Sequence, residues 1–325
     1  MEKKDLRVIF MGTPEFAVGT LSRLIEAGYR VVAVVTQPDK PVGRHQNALQ
    51  PPPVKTYALE KGIPVLQPEK MKDPEFVAQL ARYEADIQVV VAFRMLPEVV
   101  WGMPRYGTFN VHAALLPQYR GAAPINWAII NGETETGVTT FFLDHDIDTG
   151  RIILQKPFAI PDDADVEYVY DGLMNLGADI AEETLQLVLA HDGNIPSKAQ
   201  ADCHSADETL HAAPKIFKET CHILWDRPAK QVYDFIRGLS PIPTAWTALQ
   251  LNGAEATIKI FKARKTDTPC TDHRPGTVMT DRGRLLAACQ DRWLEIADLQ
   301  LSGKKRMAAR DFLNGNKNLD GVLLG

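Results

Sequence analysis

The sequence has no long apolar run, and this absence excludes a helical membrane protein. None of its 325 residues lie in a stretch that approaches the roughly 20 consecutive apolar residues that a spanning helix needs. The first residues, MEKKDLRVIFMG, also lack the small-residue cleavage site of a secretory signal peptide. We therefore expect a cytoplasmic protein.

Cysteine is scarce, with four residues in the chain: Cys203, Cys221, Cys270 and Cys289. No two of them form a C-x-x-C pair, and no histidine pair has the spacing of a zinc site. The sequence therefore predicts neither a disulfide framework nor a structural metal. Reduced thiols are the expected state in the cytoplasm.

A glycine-rich dinucleotide fingerprint is also missing. Leu6 to Met11 (LRVIFM) has the continuous apolar pattern of a buried strand, and the turn GTPEF follows it directly. That turn holds one glycine, whereas the fingerprint G-x-G-x-x-G that binds a pyrophosphate needs three. The sequence therefore argues against a nicotinamide cofactor.

The chain has no overall excess of basic charge, since its formal net charge is −5. Residues 1–206 carry 18 Lys and Arg against 27 Asp and Glu, whereas residues 207–325 carry 18 against 14. The average charge argues against a general nucleic-acid binder. The mildly basic C-terminal part is compatible with phosphate contacts and equally with an ordinary solvated domain.

Strands alternate with helices along the first part of the chain, which predicts an α/β fold with a mostly parallel, doubly wound sheet. In sheets of this kind ligands bind beyond the carboxyl ends of the strands. The predicted strands are 6–11, 29–36, 63–66, 85–93, 108–112 and 137–143, and the predicted helices are 16–27, 54–61, 74–83 and 166–190.

A polar stretch with Pro, Ala and His follows the last of these helices, and we predict a linker at 191–218. Beyond it, a short helix at 232–239 precedes several short apolar runs that are separated by turn signals such as Asn252-Gly253. This pattern predicts a small β-barrel. The predicted domains are therefore residues 1–190 and 219–325.

Three polar side chains with complementary chemistry lie between Thr108 and Gly150. Asn110 and His112 are two residues apart, so on a strand both side chains point to the same face. An Asn amide can hold a developing oxyanion, His exchanges protons near neutral pH, and Asp148 has the chemistry to orient the imidazole. As isolated motifs, however, Asn-x-His is common and an Asp in a DTG turn is more often a turn former.

The whole string NVHAALLPQYRGAAPINWAIINGETETGVTTFFLDHDIDTG resembles the signature of the folate-dependent formyltransferases. This resemblance implies that Asn110, His112 and Asp148 are catalytic. It further implies that three loops line a pocket for the folate pterin, namely Arg94, Met95 and Leu96; Leu115, Leu116 and Pro117; and Asp144, His145, Asp146 and Ile147. Alternatively, Met95 and Leu96 are ordinary core residues.

The segment from Gln37 to Pro53, QPDKPVGRHQNALQPPP, contains five prolines and the cations Lys40 and Arg44. Loops this long without secondary structure are usually functional or disordered, although a stiff surface loop is the simpler explanation. The segment resembles the inserted loop of methionyl-tRNA formyltransferases, which implies that Lys40 and Arg44 contact the tRNA acceptor end. Where that family often continues with lysines, this chain has His45 and Gln46.

Two C-terminal segments, FIRGLSPIPTAW and GKKRMAARDFLNG, resemble the C-terminal domain of the same enzymes, a barrel of the oligonucleotide-binding type. This implies phosphate contacts by Arg237, Lys304, Lys305 and Arg306. Charge alone favours a solvated turn for the Lys304-Lys305-Arg306 run. Phosphate contacts, where they form, supply affinity that falls with salt.

Together the resemblances cover nearly the whole chain and imply transfer of the formyl group of 10-formyltetrahydrofolate to the α-amine of methionyl initiator tRNA, as a step of translation initiation. We expect a monomer. We also expect no metal, because His145 and Asp146 are adjacent loop residues with poor ligand geometry. Two alternatives remain open. One is another folate-dependent formyltransferase or hydrolase of this architecture, acting on an amino sugar or a purine precursor. The other is a non-catalytic nucleic-acid-binding protein that uses the C-terminal barrel.

Overall fold

The computed structural model describes residues 2–42, 48–205, 207–251 and 253–325. The chain divides into two compact units, each built from three stretches of sequence. The first comprises Met1–Gly121, Thr136–Ala159 and Tyr170–Ala212, and the second comprises Ala122–Glu135, Ile160–Val169 and Ala213–Gly325. The domain limits that the sequence suggests, 1–190 and 219–325, stay a prediction.

The strands and helices are numbered in chain order. Up to the long helix they are β1 (Arg7–Gly12), α1 (Glu15–Glu26), β2 (Arg30–Val35), β3 (Lys40–Val42), β4 (Ala48–Gln50), α2 (Pro53–Glu60), β5 (Val65–Leu66), α3 (Pro74–Ala81), β6 (Ile87–Val91), α4 (Glu98–Trp101), β7 (Thr108–His112), β8 (Arg120–Gly121), α5 (Pro124–Ile130), β9 (Glu135–Phe142), β10 (Ile152–Ala159) and α6 (Val166–Ala190). Beyond it they are β11 (Ala212–Ala213), α7 (Ala229–Leu239), β12 (Ala245–Leu251), β13 (Ala254–Pro269), β14 (Val278–Asp281), β15 (Arg284–Ala288), β16 (Arg292–Leu301), β17 (Met307–Ala308) and α8 (Ala309–Gly315). Two short 3-10 turns, Gln200–Cys203 and Glu219–Cys221, lie between α6 and α7.

A seven-stranded sheet in the order β10-β9-β7-β6-β1-β2-β5 forms the centre of the first unit. Neighbouring strands are parallel from β7 to β5, as the intervening helices require. Strand β9 instead runs antiparallel to β7, and it pairs Phe142 with Phe109 and Thr139 with His112. The predicted α/β fold with a mostly parallel sheet is confirmed.

The central strands of this sheet are apolar on both faces because helices cover both of them. All five residues of β6 (IQVVV) are buried, and Phe10 and Phe109 on its two neighbours have no exposed surface. The polar exception within β6 is Gln88, whose side-chain oxygen accepts a hydrogen bond from the hydroxyl of Thr108 at 3.0 Å. The strand that carries the candidate site therefore lies beside a rigid, fully packed layer.

The second unit is built on an antiparallel sheet in the order β12-β13-β16-β15-β14, with β17 paired to β16. The segment 321–325 closes this sheet on itself. Leu324 bridges to Leu249 of β12, and Leu323 bridges to Thr277, which precedes β14. The predicted small β-barrel is confirmed, and the segment that closes it follows the last helix, α8.

Helix α7 packs on this barrel along one apolar face. Val232, Ile236 and Leu239 recur at helical spacing, and all three belong to the core of the second unit. Its N-terminal end is fixed by the backbone N–H of Ala229, which donates to the Asp291 carboxylate at 2.7 Å. Among the described residues, no helix has both the length and the apolar character to cross a bilayer.

We expect Leu324→Ala to lower the free energy of unfolding by about 2–4 kcal/mol, because Leu324 is 6% exposed and its truncation leaves a cavity at the barrel seam. The matched control is Leu323→Ala, which removes the neighbouring side chain of the same segment. Leu323 is 38% exposed, so this change should cost less than about 1 kcal/mol. Denaturant unfolding of the full chain measures both, and equal costs would contradict the closure.

Candidate active site

Strand β7 presents Asn110 and His112 on one face, as the two-residue period of a strand requires. Both residues are fixed by strand pairing: Asn110 lies opposite Val90 of β6 and Phe141 of β9, and His112 lies opposite Thr139. Asn110 is half-buried, whereas His112 is 6% exposed. The two side chains are thus carried by a strand that is paired on both sides.

The imidazole of His112 is held in a defined orientation. Its Nε2 lies 2.9 Å from the carbonyl oxygen of Tyr119, and a carbonyl only accepts, so Nε2 carries a hydrogen. The edge of Phe141 packs against the ring with the centroids 6.4 Å apart. Tyr119 itself has φ of +58°, in the left-handed region, and this conformation aims its carbonyl at the ring. The Nδ1 atom is therefore left for chemistry.

Asp148 faces this Nδ1 atom, with its Oδ2 at 3.8 Å. The Asp148 carboxylate is anchored by the backbone N–H of Gly121, which donates to Oδ2 at 2.9 Å. Asp148 has φ of +56°, a left-handed conformation that costs free energy for a residue with a Cβ. The separation of 3.8 Å exceeds a hydrogen bond, and such distances are common in sites without substrate.

The loop that carries Asp148 reaches His112 by an indirect route. Because β9 is antiparallel to β7, its last residues lie at the start of β7, where the N–H of Leu143 donates to the Thr108 carbonyl at 2.9 Å. Residues 144–148 then return along the strand to His112. Within the loop, the Asp144 carboxylate accepts from the Thr149 hydroxyl at 2.6 Å and from the N–H of Asp146 at 3.2 Å. These bonds give the return path a fixed turn.

Sequence reasoning missed Gln200, which lies in the stretch predicted as a linker. Its side chain is 4% exposed and donates to the carbonyls of Asp148 and Gly150, both at 2.8 Å. Its oxygen accepts two hydrogen bonds from the guanidinium of Arg120, at 3.0 and 2.6 Å. A single buried carboxamide in a polar, aperiodic stretch gives no signal in the sequence.

The loop from Leu115 to Pro117 is anchored to the sheet by two polar side chains. The hydroxyl of Thr139 accepts from the N–H of Leu116 at 3.0 Å and donates to the carbonyl of Ala114 at 2.7 Å. Gln155 donates to the carbonyl of Leu116 at 2.8 Å. Leu116 and Pro117 are buried and Leu115 is half-buried, so this loop offers a wall more than a set of free polar groups.

Of the predicted pterin residues after β6, Arg94 and Leu96 are held by the protein, whereas Met95 is exposed. Arg94 donates to the carbonyl of Glu69 at 2.8 Å and to the carbonyl of Pro68, and burial lowers the pKa of its guanidinium. Leu96 packs in the core of the first unit. Met95, by contrast, is 70% exposed, and an apolar side chain this exposed commonly marks a binding surface.

The predicted pterin loop at 144–147 also combines an exposed apolar side chain with side chains that contact the protein. Ile147 is 59% exposed. Asp144, His145 and Asp146 lie on the same loop, and the His145 ring packs edge-on against Trp101 with the centroids 5.4 Å apart. Its Nδ1 lies 3.9 Å from a carboxylate oxygen of Glu98. Within the described ranges, no group of three or more His, Cys, Asp or Glu side chains has an arrangement that could hold a metal ion.

The Asn110 carboxamide differs from these anchored groups. In the part of the chain that the structure describes, no hydrogen bond joins its side chain to another residue. Its donors are consequently available at the face that His112 also occupies. Asn110 and His112 share a face of the strand, and the returning loop brings Asp148 to His112. The catalytic roles of the three residues stay a prediction.

The predicted tRNA cations lie in different environments. Arg44 lies outside the described residues. Lys40, Lys304, Lys305 and Arg306 are exposed, and Arg306 donates to Asp298 at 2.8 Å. Lys40 follows Asp39, whose pKa is held below its usual value by hydrogen bonds from Gln67 and Lys55.

Arg237 is 6% exposed, and its guanidinium donates to Asp234 and to the carbonyl of Ala164, at 2.8 and 2.9 Å. Its Nε and Nη1 donors are therefore engaged within the second unit. We keep only the exposed cations as candidate phosphate contacts.

Comparison with known proteins assigns both parts of the sequence. The family model described as "Formyl transferase" matches residues 6–185, and "Formyl transferase, C-terminal domain" matches residues 215–317. The chain is 55% identical to a methionyl-tRNA formyltransferase of Parabacteroides distasonis, with 100% of both chains covered. It is 46% identical to one of Flavobacterium johnsoniae, with 97% of each covered.

Solved structures with the same fold are more distant in sequence. HypX from Aquifex aeolicus, in complex with tetrahydrofolic acid, superposes with a TM-score of 0.61 at 17% identity. The match covers 95% of this chain and 47% of HypX, so the chain spans about half of that protein. An N-formyltransferase from Helicobacter canadensis, in complex with folinic acid and dTDP-3-aminofucose, gives 0.62 at 18% identity over 90% and 98% of the two chains. These likenesses establish the fold.

We expect Gly150→Ala to lower the free energy of unfolding by about 1–3 kcal/mol, because an added Cβ would lie 1.6 Å from the Phe142 carbonyl oxygen and the loop must shift. The control is Gly177→Ala in α6, where the nearest atom is an ordinary 3.4 Å away. That change should leave stability unchanged or raise it, since Ala favours a helix. Denaturant unfolding compares the two, and an unaffected Gly150→Ala would contradict the tight loop.

Proposed function

This chain belongs to the methionyl-tRNA formyltransferase family, and from that premise we propose that Asn110, His112 and Asp148 carry its chemistry. The protein is a folate-dependent transferase that acts on methionyl-tRNA in translation initiation. Our proposal adds the donor, 10-formyltetrahydrofolate, and the acceptor atom, the α-amine of the methionine on initiator tRNA. The observation that carries the assignment of residues is the Nδ1 atom of His112 facing Asp148 on the face that Asn110 shares.

The chemistry requires a neutral amine, a place for its proton and a partner for an oxyanion. Attack of the amine on the formyl carbon makes a tetrahedral centre whose oxygen carries negative charge. The free amide of Asn110 donates to that oxygen, and one such donor contributes on the order of 10²–10³ in rate. Since the carboxamide has no internal partner among the described residues, no existing bond must break first.

His112 handles the proton through its Nδ1 atom. With Nε2 committed to the Tyr119 carbonyl, Nδ1 is the position that takes the proton from the attacking nitrogen and returns it to the leaving nitrogen. A proton on Nδ1 lies between the ring and Asp148, so the carboxylate stabilises the imidazolium. The backbone N–H of Gly121 keeps that carboxylate in place while the charge forms.

We further propose that the loops at 94–96 and 144–147 bind the folate, with the wall at 115–117. Met95 and Ile147 offer exposed apolar surface on two of these loops, which fits a flat heterocycle. Arg94 supports the first loop through its bonds to Pro68 and Glu69 instead of touching the ligand. Bound there, the donor supplies an activated formyl group.

For the tRNA, we propose that Lys304, Lys305 and Arg306 of the second unit contact phosphates, and that Lys40 and Arg44 contribute from the Pro-rich segment. The first three are exposed and consecutive, and phosphate contacts are made by such cations.

We propose a cytoplasmic monomer with a catalytic domain at 1–190 and a tRNA-binding domain at 219–325. An amino-sugar or purine-precursor substrate is disfavoured, because the full-length relatives at 46–55% identity are methionyl-tRNA enzymes.

Substitution of the three candidate catalytic residues should lower kcat with little change in the KM for methionyl-tRNA. Asn110→Ala should lose about 10²–10³-fold, since it removes one oxyanion donor. His112→Ala and Asp148→Asn should lose at least about 10²-fold, because they remove the proton acceptor or its support. The assay is steady-state formylation of charged initiator tRNA at several tRNA concentrations, which separates kcat from KM.

The control for these variants is His273→Ala, which removes an exposed imidazole in the second unit and should leave kcat unchanged. Near-normal turnover of His112→Ala would refute the assigned chemistry. Formylation of free methionine or an amino sugar at a rate above that of methionyl-tRNA would refute the proposed acceptor.

The double variant Lys304→Ala/Lys305→Ala should raise the KM for methionyl-tRNA and leave kcat unchanged. The slope of log KM against log salt should fall by about one for each phosphate that no longer meets a cation. Lys72→Ala, an exposed lysine of the first unit, serves as the control for removing charge as such. Identical salt slopes for the double variant and the parent enzyme would rule out these phosphate interactions.

A further inference from the structure

Gln200 uses every hydrogen-bonding group of its side chain within the first unit. The oxygen accepts from Nε and Nη2 of Arg120, and the nitrogen donates to the carbonyls of Asp148 and Gly150. Arginine only donates and carbonyls only accept, so the orientation of the carboxamide is fixed by its partners. A buried side chain with four satisfied bonds has a single low-energy position.

These bonds reach the Asp148 carboxylate from two directions. One direction is the backbone of Asp148 itself, where Gln200 binds the carbonyl of a residue in the costly left-handed conformation. The other passes through Arg120, because the next residue, Gly121, provides the N–H that holds Oδ2. Gln200 therefore links the two segments whose separation sets the position of the carboxylate relative to His112.

We infer that Gln200 is a positioning residue for the formyl-transfer reaction, acting through Asp148 without touching substrate. This inference rests on the proposed function, because it assumes that the Asp148 carboxylate takes part in turnover. Geometric displacement of a reacting group by about 1 Å can cost 10²-fold in rate. Gln200 is thus expected to influence kcat and not the affinity for tRNA.

Two substitutions separate positioning from packing. Gln200→Ala removes all four bonds and should lower kcat by about ten- to hundredfold, with the KM for methionyl-tRNA unchanged. Gln200→Glu keeps the size of the side chain and its bonds to Arg120. It places an oxygen against the carbonyls of Asp148 and Gly150, so kcat should fall by a similar factor although the side chain is still packed. Turnover of Gln200→Glu equal to that of the parent enzyme would overturn the inference.

A double-mutant cycle tests whether the effect runs through Asp148. In an Asp148→Asn background, Gln200→Ala should lower kcat less than about threefold further, because the carboxylate that it positions is already gone. A purely structural role predicts the full ten- to hundredfold loss in both backgrounds, and that additive result would overturn the inference. If Asp148→Asn alone leaves turnover intact, the proposed function fails instead, which keeps the two failures distinguishable.

The matched control is Arg151→Ala. The guanidinium of Arg151 binds Ser197 through its hydroxyl, at 2.9 Å, and through its carbonyl, so it ties the same two segments together one residue beyond Gly150. Its guanidinium bonds go to Ser197 and not to the Asp148 carbonyl or Arg120. Arg151 is exposed, so its removal should change kcat less than about twofold and should lower thermal stability less than Gln200→Ala does. A reduction of kcat equal to that of Gln200→Ala would show general loosening and would contradict positioning.

Discussion

The site depends on one constraint, which is that a carboxylate must stay beside the His112 imidazole although its loop starts from the far end of the strand. The antiparallel run of β9 creates this problem, because Leu143 lies beside Thr108 at the start of β7. The N–H of Gly121 and the side chain of Gln200 solve it by fixing Asp148 from outside its own loop. A backbone N–H and one buried carboxamide thus fix the position of Asp148, and its carboxylate stays directed at His112.

The side chains of His112 and Asn110 are likewise left available by bonds that the backbone makes. The proton on Nε2 of His112 is assigned by one backbone carbonyl, and Asn110 keeps its amide free among the described residues. Polar side chains that neighbour the site, such as Thr139 and Gln155, are occupied with the loop at Leu116. The structure therefore separates groups that hold the backbone from groups that are open to a reactant.

The sequence predicted those parts whose cause is local. The common face of Asn110 and His112 follows from the two-residue period of a strand, and the parallel sheet follows from the alternation of strands with helices. Asp148 could be named only because the whole string resembles a known family. Gln200 could not be predicted, because its contacts arise where the polar stretch 191–218 passes the loop of Asp148 in the folded chain. Charge and resemblance point to Arg237 as a phosphate ligand, but its burial beside Asp234 depends on tertiary packing that charge does not encode.

The closing segment of the β-barrel has a consequence for how the molecule is made. Until the codons for 321–325 have been translated and that segment has left the ribosome, β12 and the start of β14 lack the partner that joins them. Exposed strand edges are sites of association between chains. An enzyme that acts in translation initiation therefore completes its own second unit only after these five residues have left the ribosome.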